Sequence, residues 1–264
     1  MINNIIEVKN LVKKYPNCAV NAVENLSFEV IKGEFFGFLG PNGAGKTTTI
    51  NMMVDLVKKT SGQIVIDDLE VGKDNPEIYK RIGFAMQEVG LDETATAREM
   101  MLLHGKLYHI PNKIIDQRMK MLLKLVELEK VADKYTSTYS GGMRRRFDLA
   151  LALIHQPKVL FLDEPTTGLD PHARQLIWGH LKDLNKQGMT IFLTTHFMEE
   201  AEELCQRLVI MDRGVIVDIG SPNELIKKHR VDTLEQVFLK VTGHNLGEEE
   251  VNNGATDPYA RLRG

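Results

Sequence analysis

A glycine-rich segment that ends in lysine and threonine is the first part of the sequence whose residue types suggest chemistry. Residues 40–47 read GPNGAGKT, which fits the phosphate-binding pattern GxxxxGK[ST]. Glycines let backbone N–H groups curl around phosphate oxygens, and the positive end of a following helix favours the same anion. Lys46 can then reach the β- and γ-phosphates, and the Thr47 hydroxyl can bind Mg²⁺. A glycine-rich turn that fits by chance is the alternative, and the predicted strand before it and helix after it favour a nucleoside triphosphate site.

Two adjacent carboxylates follow a short apolar run. Val159 to Leu162 are four apolar residues, and Asp163 and Glu164 come directly after them. A buried parallel strand carries such residues to its carboxyl end, where ligands bind in open α/β sheets. Asp163 is then placed to hold Mg²⁺, and Glu164 to polarise an attacking water. An exposed Asp-Glu turn is the alternative, and the phosphate-binding segment earlier in the chain favours the functional interpretation.

The elements that position these residues alternate between strands and helices, which is typical of parallel strands covered by helices. Short apolar or alternating runs predict strands at Ile5 to Val12, Leu26 to Val30, Glu34 to Leu39, Gln63 to Ile66, Ile82 to Met86, Val159 to Leu162 and Thr190 to Thr194. Helices are predicted after Gly45, Gly142 and Asp170. The first of them places Ile50, Met53, Val54 and Val57 on one face.

The segment between Glu88 and Ser140 has a different character, because strand signals disappear from it. Two helices are predicted there, over Ala97 to Tyr108 and Ile114 to Leu128, separated by Pro111-Asn112. We interpret the segment as an inserted helical subdomain.

The last third of the chain predicts a hairpin followed by two helices. Arg207 to Met211 and Val215 to Ile219 flank a turn, and Ser221 to Glu224 form a capping box that opens a helix. Leu234, Val237 and Phe238 share one side of a further helix, which packs on the core or on a second subunit. The sequence does not decide between these two. Beyond Gly243 the composition is polar, and we expect a loose segment.

Composition limits the classes of protein that the chain can represent. It has 264 residues, of which 43% are hydrophobic and 26% charged, with a net charge of -3, so no global basic field suggests nucleic acid. Its two cysteines, Cys18 and Cys205, form no zinc-binding pattern and fit a reducing cytosol. The sequence lacks a signal peptide and an apolar run of the roughly 18 residues that span a bilayer. We expect a soluble protein whose membrane role, if any, depends on a partner.

A third motif, together with the phosphate-binding segment and the paired carboxylates, points to one protein family. Tyr139-Ser140-Gly141-Gly142-Met143 stands about twenty residues before Asp163. Taken singly it is a helix N-cap, but in this position it resembles the signature motif of ABC ATPases. Gly168-Leu169-Asp170, Gln87 at a strand end and His196 after another strand strengthen this resemblance, which covers roughly Ile5 to Lys228.

The resemblance implies a fold and a domain organisation. The expected fold is α/β, a P-loop NTPase of the ABC ATPase type, with a mixed-sheet core, an N-terminal antiparallel β part and an inserted helical subdomain. Residues 1–87 and 141–228 would form the RecA-like ATPase core with its antiparallel part. Residues 88–140 would form the helical subdomain, and residues 229–264 a C-terminal extension that is partly flexible.

The resemblance also implies roles for individual residues. Glu164, His196, Lys46 and Gln87 would be catalytic, and Thr47, Gln87 and Asp163 would hold the metal. ATP would contact Tyr15, Gly40, Pro41, Asn42, Gly43, Ala44, Gly45, Lys46, Thr47, Thr48, Ser140, Gly141, Gly142 and Asp170. Tyr15 would stack on adenine, with a strand-edge aromatic as the alternative. Ser140 and Gly142 would touch the γ-phosphate held by a second copy in a head-to-tail dimer, with Asp170 at the seam.

Departures from the common family pattern narrow the expected function. Tyr139 and Met143 replace the usual leucine and glutamine of the signature. The strings around them, around Asp163 to Pro171 and over Leu234 to Gly243, resemble the ATPases of daunorubicin-resistance-type drug and antibiotic exporters. Arg144 to Arg146 are interpreted as a solvated helix face without a catalytic role.

The expected protein is therefore a magnesium-dependent ATPase subunit that powers a separate integral-membrane permease, most simply for export of a drug, antibiotic or other amphipathic substrate. It would lie in the cytoplasm, peripheral on the cell membrane, bind ATP and Mg²⁺, pair with a second copy and bind no nucleic acid. An importer subunit and a soluble ABC ATPase of translation or DNA repair are the alternatives. A nucleotide kinase shares the P-loop but explains neither Ser140 to Gly142 nor His196.

Overall fold

The computed structural model describes residues 3–87 and 89–243, and within them it has two β-sheets surrounded by helices. The strands are Asn4–Lys13 (β1), Val23–Ile31 (β2), Phe35–Leu39 (β3), Ser61–Ile66 (β4), Leu69–Glu70 (β5), Ile82–Ala85 (β6), Val159–Asp163 (β7), Thr190–Thr195 (β8), Arg207–Asp212 (β9) and Val215–Gly220 (β10). The helices are Lys46–Met53 (α1), Asn75–Tyr79 (α2), Ala97–Leu107 (α3), Asn112–Leu125 (α4), Gly141–Ala152 (α5), Pro171–Lys186 (α6), Met198–Leu204 (α7), Pro222–His229 (α8) and Leu234–Thr242 (α9).

The larger sheet has six strands in the order β10-β9-β3-β8-β7-β6. All its neighbouring pairs are parallel except β9 with β10, which form the predicted hairpin. Every residue of β3, β7 and β8 is buried, which accounts for their continuous apolar sequences. The carboxyl ends of these three strands lie side by side, so the residues that follow them meet at one edge.

The smaller sheet is antiparallel and has the order β2-β1-β4-β5. Its buried face joins the larger sheet through aromatic residues. Phe28 of β2 packs against Phe36 and Phe38 of β3, with ring centroids 5.8 and 5.0 Å away. Phe192 of β8 completes this cluster. The mixed architecture confirms the predicted fold class.

Helices α3 and α4 lie between β6 and α5 in the chain and pack on each other and on α5. A capping box at Thr96 and Glu99 begins α3. Gly105 of α3 lies against Ile115 of α4, where a Cβ on the glycine would stand 2.6 Å from the isoleucine side chain. Both helices overlap their predicted ranges, and the domain boundaries at residues 88 and 140 stay a prediction.

Several elements differ from the sequence-based expectation. Helix α1 ends at Met53, before the predicted Val57, and Asp55 adopts a left-handed backbone with φ of +57°. Helix α4 begins at Asn112 and ends at Leu125, so its predicted range is shifted towards the N-terminus. The short elements α2, α7 and β5 were not predicted, because a segment of seven residues or fewer shows little hydrophobic periodicity.

The C-terminal helix α9 packs on the core of its own chain. Leu234, Val237 and Phe238 are fully buried, and the helix contacts α7, α8 and β10. The question that the sequence left open is thereby decided for the described residues. The segment after Gly243 that we expected to be loose lies outside them. In the part of the chain that the structure describes, no helix is both long and apolar enough to cross a membrane.

Candidate functional site

The glycine-rich segment forms a tight loop between β3 and α1. Two of its glycines have no room for a side chain. A Cβ on Gly40 would stand 2.3 Å from the carbonyl oxygen of Met211, and one on Gly45 would stand 2.5 Å from that of Ala22. Gly45 also has a φ of +101° and caps the N-terminus of α1. Close backbone packing therefore fixes the loop with the positive end of α1 facing its concave side.

A cavity of about 330 Å³ opens beside this loop. Six of its lining residues come from the loop and the start of α1, namely Asn42, Gly43, Gly45, Lys46, Thr47 and Thr48. The others are Ala22, Gln87 and Glu164. Gly40, Pro41 and Ala44 form the loop behind this lining. The structure thus brings the predicted phosphate-binding segment and the predicted catalytic carboxylate together around one cavity.

Lys46 is almost completely buried, with 4% of its surface exposed. Its Nζ donates to the carbonyl oxygens of Gly40 and Pro41, at 2.8 and 3.1 Å. It also lies 3.3 Å from Oε1 of Glu164. Burial lowers the pKa of Lys46, and the charge of Glu164 opposes this shift. The ammonium group is therefore held against the loop and the carboxylate that the sequence predicts to be catalytic.

Asp163, the last residue of β7, and Thr47, in the first turn of α1, are the predicted metal ligands, and their side-chain oxygens lie next to each other. The Thr47 hydroxyl donates to Oδ1 of Asp163 at 3.3 Å, and the Thr194 hydroxyl donates to the same oxygen. Burial raises the pKa of Asp163, against the hydrogen bonds from both threonines. Adjacent ligand oxygens of an octahedral Mg²⁺ lie roughly 3 Å apart. The Thr47 and Asp163 oxygens fit that spacing, while the described residues contain no cluster of three His, Cys, Asp or Glu that could hold a metal alone.

Glu164 occupies the centre of the site in an uncommon backbone conformation, with a φ of +48°. Its N–H donates to the carbonyl oxygen of Thr194 at 3.0 Å, and its carboxylate points towards the cavity. The Thr167 hydroxyl donates to Oε2 at 3.1 Å, and the Gln87 amide does so at 3.4 Å. Burial acts to raise the pKa of Glu164, but His196 and Lys46 outweigh it and hold the pKa at about 2.

His196 lies directly after β8, with Nδ1 3.1 Å from Oε2 of Glu164. That nitrogen has no well-aligned hydrogen-bond partner among the described residues, so the two side chains are close without a directed bond. Gln87 lies two residues after β6 and is exposed. The other three predicted catalytic residues, Lys46, Gln87 and His196, therefore converge on Glu164.

The predicted signature residues lie on a different surface. Ser140 caps α5 by accepting a hydrogen bond from the N–H of Met143, and Asp170 caps α6 in the same way through Ala173. The two helix starts are neighbours, since a Cβ on Gly142 would stand 3.4 Å from Cβ of Ala173. Ser140, Gly141 and Asp170 are exposed and none of them lines the cavity of the same chain.

Tyr15 lies on the loop after β1 and is also outside the cavity lining. The Nζ of Lys13 stands 4.8 Å from the centroid of its ring. Ala22, at the far end of the same loop, reaches the cavity instead. The stacking role of Tyr15 stays a prediction.

The interpretation of Arg144 to Arg146 as a solvated face is wrong. Arg145 is 5% exposed, and its guanidinium donates to backbone carbonyl oxygens on both sides of Glu164. Arg146 is half-buried and donates to the carbonyl oxygen of Val126. Three consecutive arginines cannot share one helix face, because neighbouring residues point about 100° apart, and that spacing was the overlooked signal.

A second missed group is a buried carboxylate beneath the site. Glu200 of α7 is fully buried and accepts hydrogen bonds from the Thr166 hydroxyl at 2.8 Å and the Trp178 indole at 3.0 Å. Burial raises its pKa, and these hydrogen bonds oppose the shift. It fastens the segment after Glu164 to α6 and α7. No sequence motif marked it, because α7 itself was not predicted.

Comparison of the sequence with known proteins identifies a family and several relatives. The family model described as "ABC transporter" matches residues 23–167. A linearmycin resistance ATP-binding protein of Bacillus subtilis is 40% identical over 241 residues, which cover 91% of this chain and 76% of that protein. A Nod factor export ATP-binding protein I of Cupriavidus metallidurans is 44% identical over 222 residues, covering 84% of this chain and 73% of that protein.

Solved structures give the same result. An ATP-binding subunit of an ABC transporter superposes with a TM-score of 0.82 at 28% identity, covering 90% of this chain and 99% of that one. A dimeric ATP-binding cassette in a post-hydrolysis state, bound to ADP and Pi, has a TM-score of 0.74 at 29% identity. The superposition covers 82% of this chain and 98% of that cassette.

Proposed function

We propose that this chain, which belongs to the ABC transporter family of ATPases, uses ATP hydrolysis to drive export through a separate membrane permease. The observation that carries the proposal is the convergence of Lys46, Gln87 and His196 on one buried carboxylate, Glu164, beside a phosphate-binding loop. The named functions of the relatives, linearmycin resistance and Nod factor export, support export over import.

In this proposal the triphosphate of ATP lies along residues 40–48, with backbone N–H groups and the start of α1 binding its oxygens. Lys46 exchanges its contact with Glu164 for the β- and γ-phosphates. Because the Lys46 charge helps to keep the pKa of Glu164 low, this movement makes the carboxylate a better proton acceptor. Glu164 then accepts a proton from the attacking water, which Gln87 and His196 hold in line.

The metal ligands proposed within the chain are Thr47, Asp163 and Gln87. When bound, Mg²⁺ would neutralise charge that develops on the phosphate oxygens. Thr194 keeps Asp163 pointed at Thr47 through its hydroxyl. The hydrogen-bonded positions of Asp163 and Thr47 support this assignment, since hard oxygen ligands suit Mg²⁺.

We further propose that the active unit is a head-to-tail dimer. Ser140 and Gly142 carry an exposed helix start with its positive dipole end, which suits a phosphate but lies outside the cavity of the same chain. A second copy would bring this surface over the cavity, with Asp170 at the seam and Tyr15 against the adenine. Residues 88–140 would act as the helical subdomain between the nucleotide and the permease.

The test of this proposal is co-purification. The tagged chain is expressed in its native host, membranes are separated from the soluble fraction, and the detergent extract is analysed for bound membrane proteins. We expect the chain in the membrane fraction, on its cytoplasmic side, with one multi-span protein in stable ratio. Binding instead to ribosomes or DNA would contradict the transport function, and dependence on an external binding protein would turn export into import.

A further inference from the structure

One buried guanidinium lies beneath the catalytic carboxylates and is not used in the mechanism above. Arg145 is 5% exposed, although arginine is rarely buried without partners. Its only acidic partner among the described ion pairs is Asp148, one turn further along α5, with 3.4 Å between Nη1 and Oδ2. The position therefore has to be explained by the other groups that it contacts.

Those groups are backbone carbonyl oxygens from two separate segments. Nε donates to Pro165 at 2.7 Å and Nη2 donates to Asp163 at 3.0 Å. Nη1 donates to Met86. Each acceptor is one residue away from a catalytic side chain, since Asp163 and Pro165 flank Glu164 and Met86 precedes Gln87. One side chain thus holds both segments that meet in the Gln87–Glu164 contact.

Arg145 also connects these segments to the surface that carries the predicted signature residues Ser140 to Gly142. It belongs to α5, whose first residues are Gly141 and Gly142 and whose cap is Ser140. The helix is continuous between them, so its start and Arg145 belong to one uninterrupted element. Helix α5 therefore connects Ser140, which would serve the active site of the opposite subunit, with the backbone around Glu164 in the active site of the same chain.

We propose that Arg145 is a positioning residue that sets the backbone of Glu164 and Gln87 and ties it to the helix carrying Ser140. This inference rests on the proposed function. The left-handed backbone at Glu164 supports it, because such a conformation persists only where surrounding contacts hold it in place. The two carbonyls that flank Glu164 are held by Arg145 from below.

Arginine suits this task for a chemical reason. Its planar guanidinium carries five N–H donors in a fixed fork, so one side chain can serve three acceptors in different directions. Lysine keeps the charge but concentrates its donors at one point, and glutamine has only two donors and no charge. Both replacements therefore remove the fork of donors; lysine keeps the positive charge, and glutamine removes it as well.

The experiment compares full-length Arg145→Gln and Arg145→Lys with the unchanged chain and with Arg146→Gln. Arg146 is the matched control, because it is the next residue on α5 and donates to the carbonyl of Val126, away from the site. For each, kcat and KM for ATP are measured, together with the Kd of a fluorescent ATP analogue and the thermal midpoint. A misplacement of about 1 Å at a reacting centre can cost about 100-fold in rate.

We expect kcat to fall about 30-fold in Arg145→Gln and about 10-fold in Arg145→Lys, with KM and Kd changed by less than about threefold. Arg146→Gln should keep its kcat within about twofold. If Arg145→Gln does not fold, Arg145→Lys decides the matter. A folded Arg145→Lys chain with unchanged kcat would overturn the inference, as would equal losses in kcat and ATP binding. A Glu164→Gln chain that hydrolyses ATP normally would instead overturn the proposed function.

Discussion

The nucleotide cavity and the surface formed by the starts of α5 and α6 differ in how complete they are within one chain. In the cavity, Lys46, Asp163 and Glu164 are 4%, 2% and 5% exposed, and each has charged or hydrogen-bonding partners from the same chain. On the helix-start surface, Ser140 and Asp170 are exposed, and among the described residues their side chains bond only to the backbone of their own helices.

This difference has a physical reason. A buried charge needs a partner at all times, because removing it from water costs several kcal/mol unless it is paired. The cavity must therefore be preassembled. An exposed hydroxyl or capping carboxylate is satisfied by water and by its own helix, so it remains available to a second molecule. The comparison supports the proposed role of the first region in the chemistry and of the second in assembly.

The largest expected effect comes from the cavity. Glu164→Gln keeps the size of the side chain but removes its basic oxygen, and we expect kcat to fall about 1,000-fold, or about 4 kcal/mol. ATP should still bind, so the variant should accumulate as an ATP-bound dimer. Phosphate release and size-exclusion chromatography with ATP measure the two effects.

The control for this change is Glu203→Gln, since Glu203 is an exposed glutamate of α7 whose side chain pairs with Lys182. It should leave both kcat and the elution volume unchanged. Turnover of Glu164→Gln at the normal rate would remove Glu164 from its role as the base and would make the preassembled cavity irrelevant to the chemistry.

The helix-start surface gives the next largest effect. Ser140→Asp keeps a good N-cap residue, so the stability of α5 should be preserved. It also places a negative charge where the γ-phosphate of the opposite site would lie. We expect ATP-driven dimerisation and kcat to fall about 100-fold, while ATP binding to the single chain changes little.

Ser221→Asp is the matched control, because Ser221 caps α8 with the same hydrogen-bond geometry and lies in no predicted site. Analytical ultracentrifugation with ATP, in the Glu164→Gln background, compares the two. Equal dimerisation of both variants would show that the starts of α5 and α6 are not an assembly surface.

The two regions also differ in how far the sequence predicted them. The parallel strands β3, β7 and β8 were predictable because burial on both faces makes them continuously apolar. The residues that follow strands β6, β7 and β8 were predictable in turn, since parallel strands end at one edge. The short helices α2 and α7 were not, because tertiary packing and not periodicity stabilises elements of that length.

Within the site, motifs located the groups that would contact the nucleotide but not the groups that hold them. Lys46 and Glu164 stand in recognisable patterns, whereas Arg145 and Glu200 act through backbone carbonyls and hydroxyls that leave no mark on the sequence. The separate surfaces of Ser140 and the cavity were implied only by the family resemblance and could not be derived from the residues themselves. That separation depends on the path of α5, which only the packed structure fixes.

A third prediction tests the metal ligands of the cavity. Thr47→Val keeps the branched shape but removes the hydroxyl that bonds Asp163. We expect the Mg²⁺ concentration for half-maximal activity to rise about tenfold, with Thr47→Ser close to normal because it keeps the hydroxyl. Metal titration of ATPase activity measures this. An unchanged Mg²⁺ requirement in Thr47→Val would exclude Thr47 as a ligand.

The smallest effect on activity is expected at the connection between the two regions, where Asp148 pairs with Arg145 on α5 and the measurable change is in stability. Burial raises the pKa of Asp148 to about 6, and the charge of Arg145 lowers it only in part. Because this folded-state pKa lies above the ordinary value of about 4, the folded chain binds the proton more tightly than the unfolded chain. The free energy of unfolding therefore decreases as pH rises from about 4 to about 6, and it stays lower above that range.

Asp148→Asn cannot titrate, so its stability relative to the unchanged chain should increase across that pH interval and then level off. We expect the stability of the variant relative to the unchanged chain to rise by roughly 2 to 3 kcal/mol between pH 4 and pH 8, since one pKa unit corresponds to about 1.4 kcal/mol and the pKa of about 6 already includes the pairing with Arg145. Urea unfolding at both pH values measures the difference. A loss of stability at pH 8 would mean that the ion pair outweighs the burial of the carboxylate, and that Arg145 needs Asp148 to stay beneath Glu164.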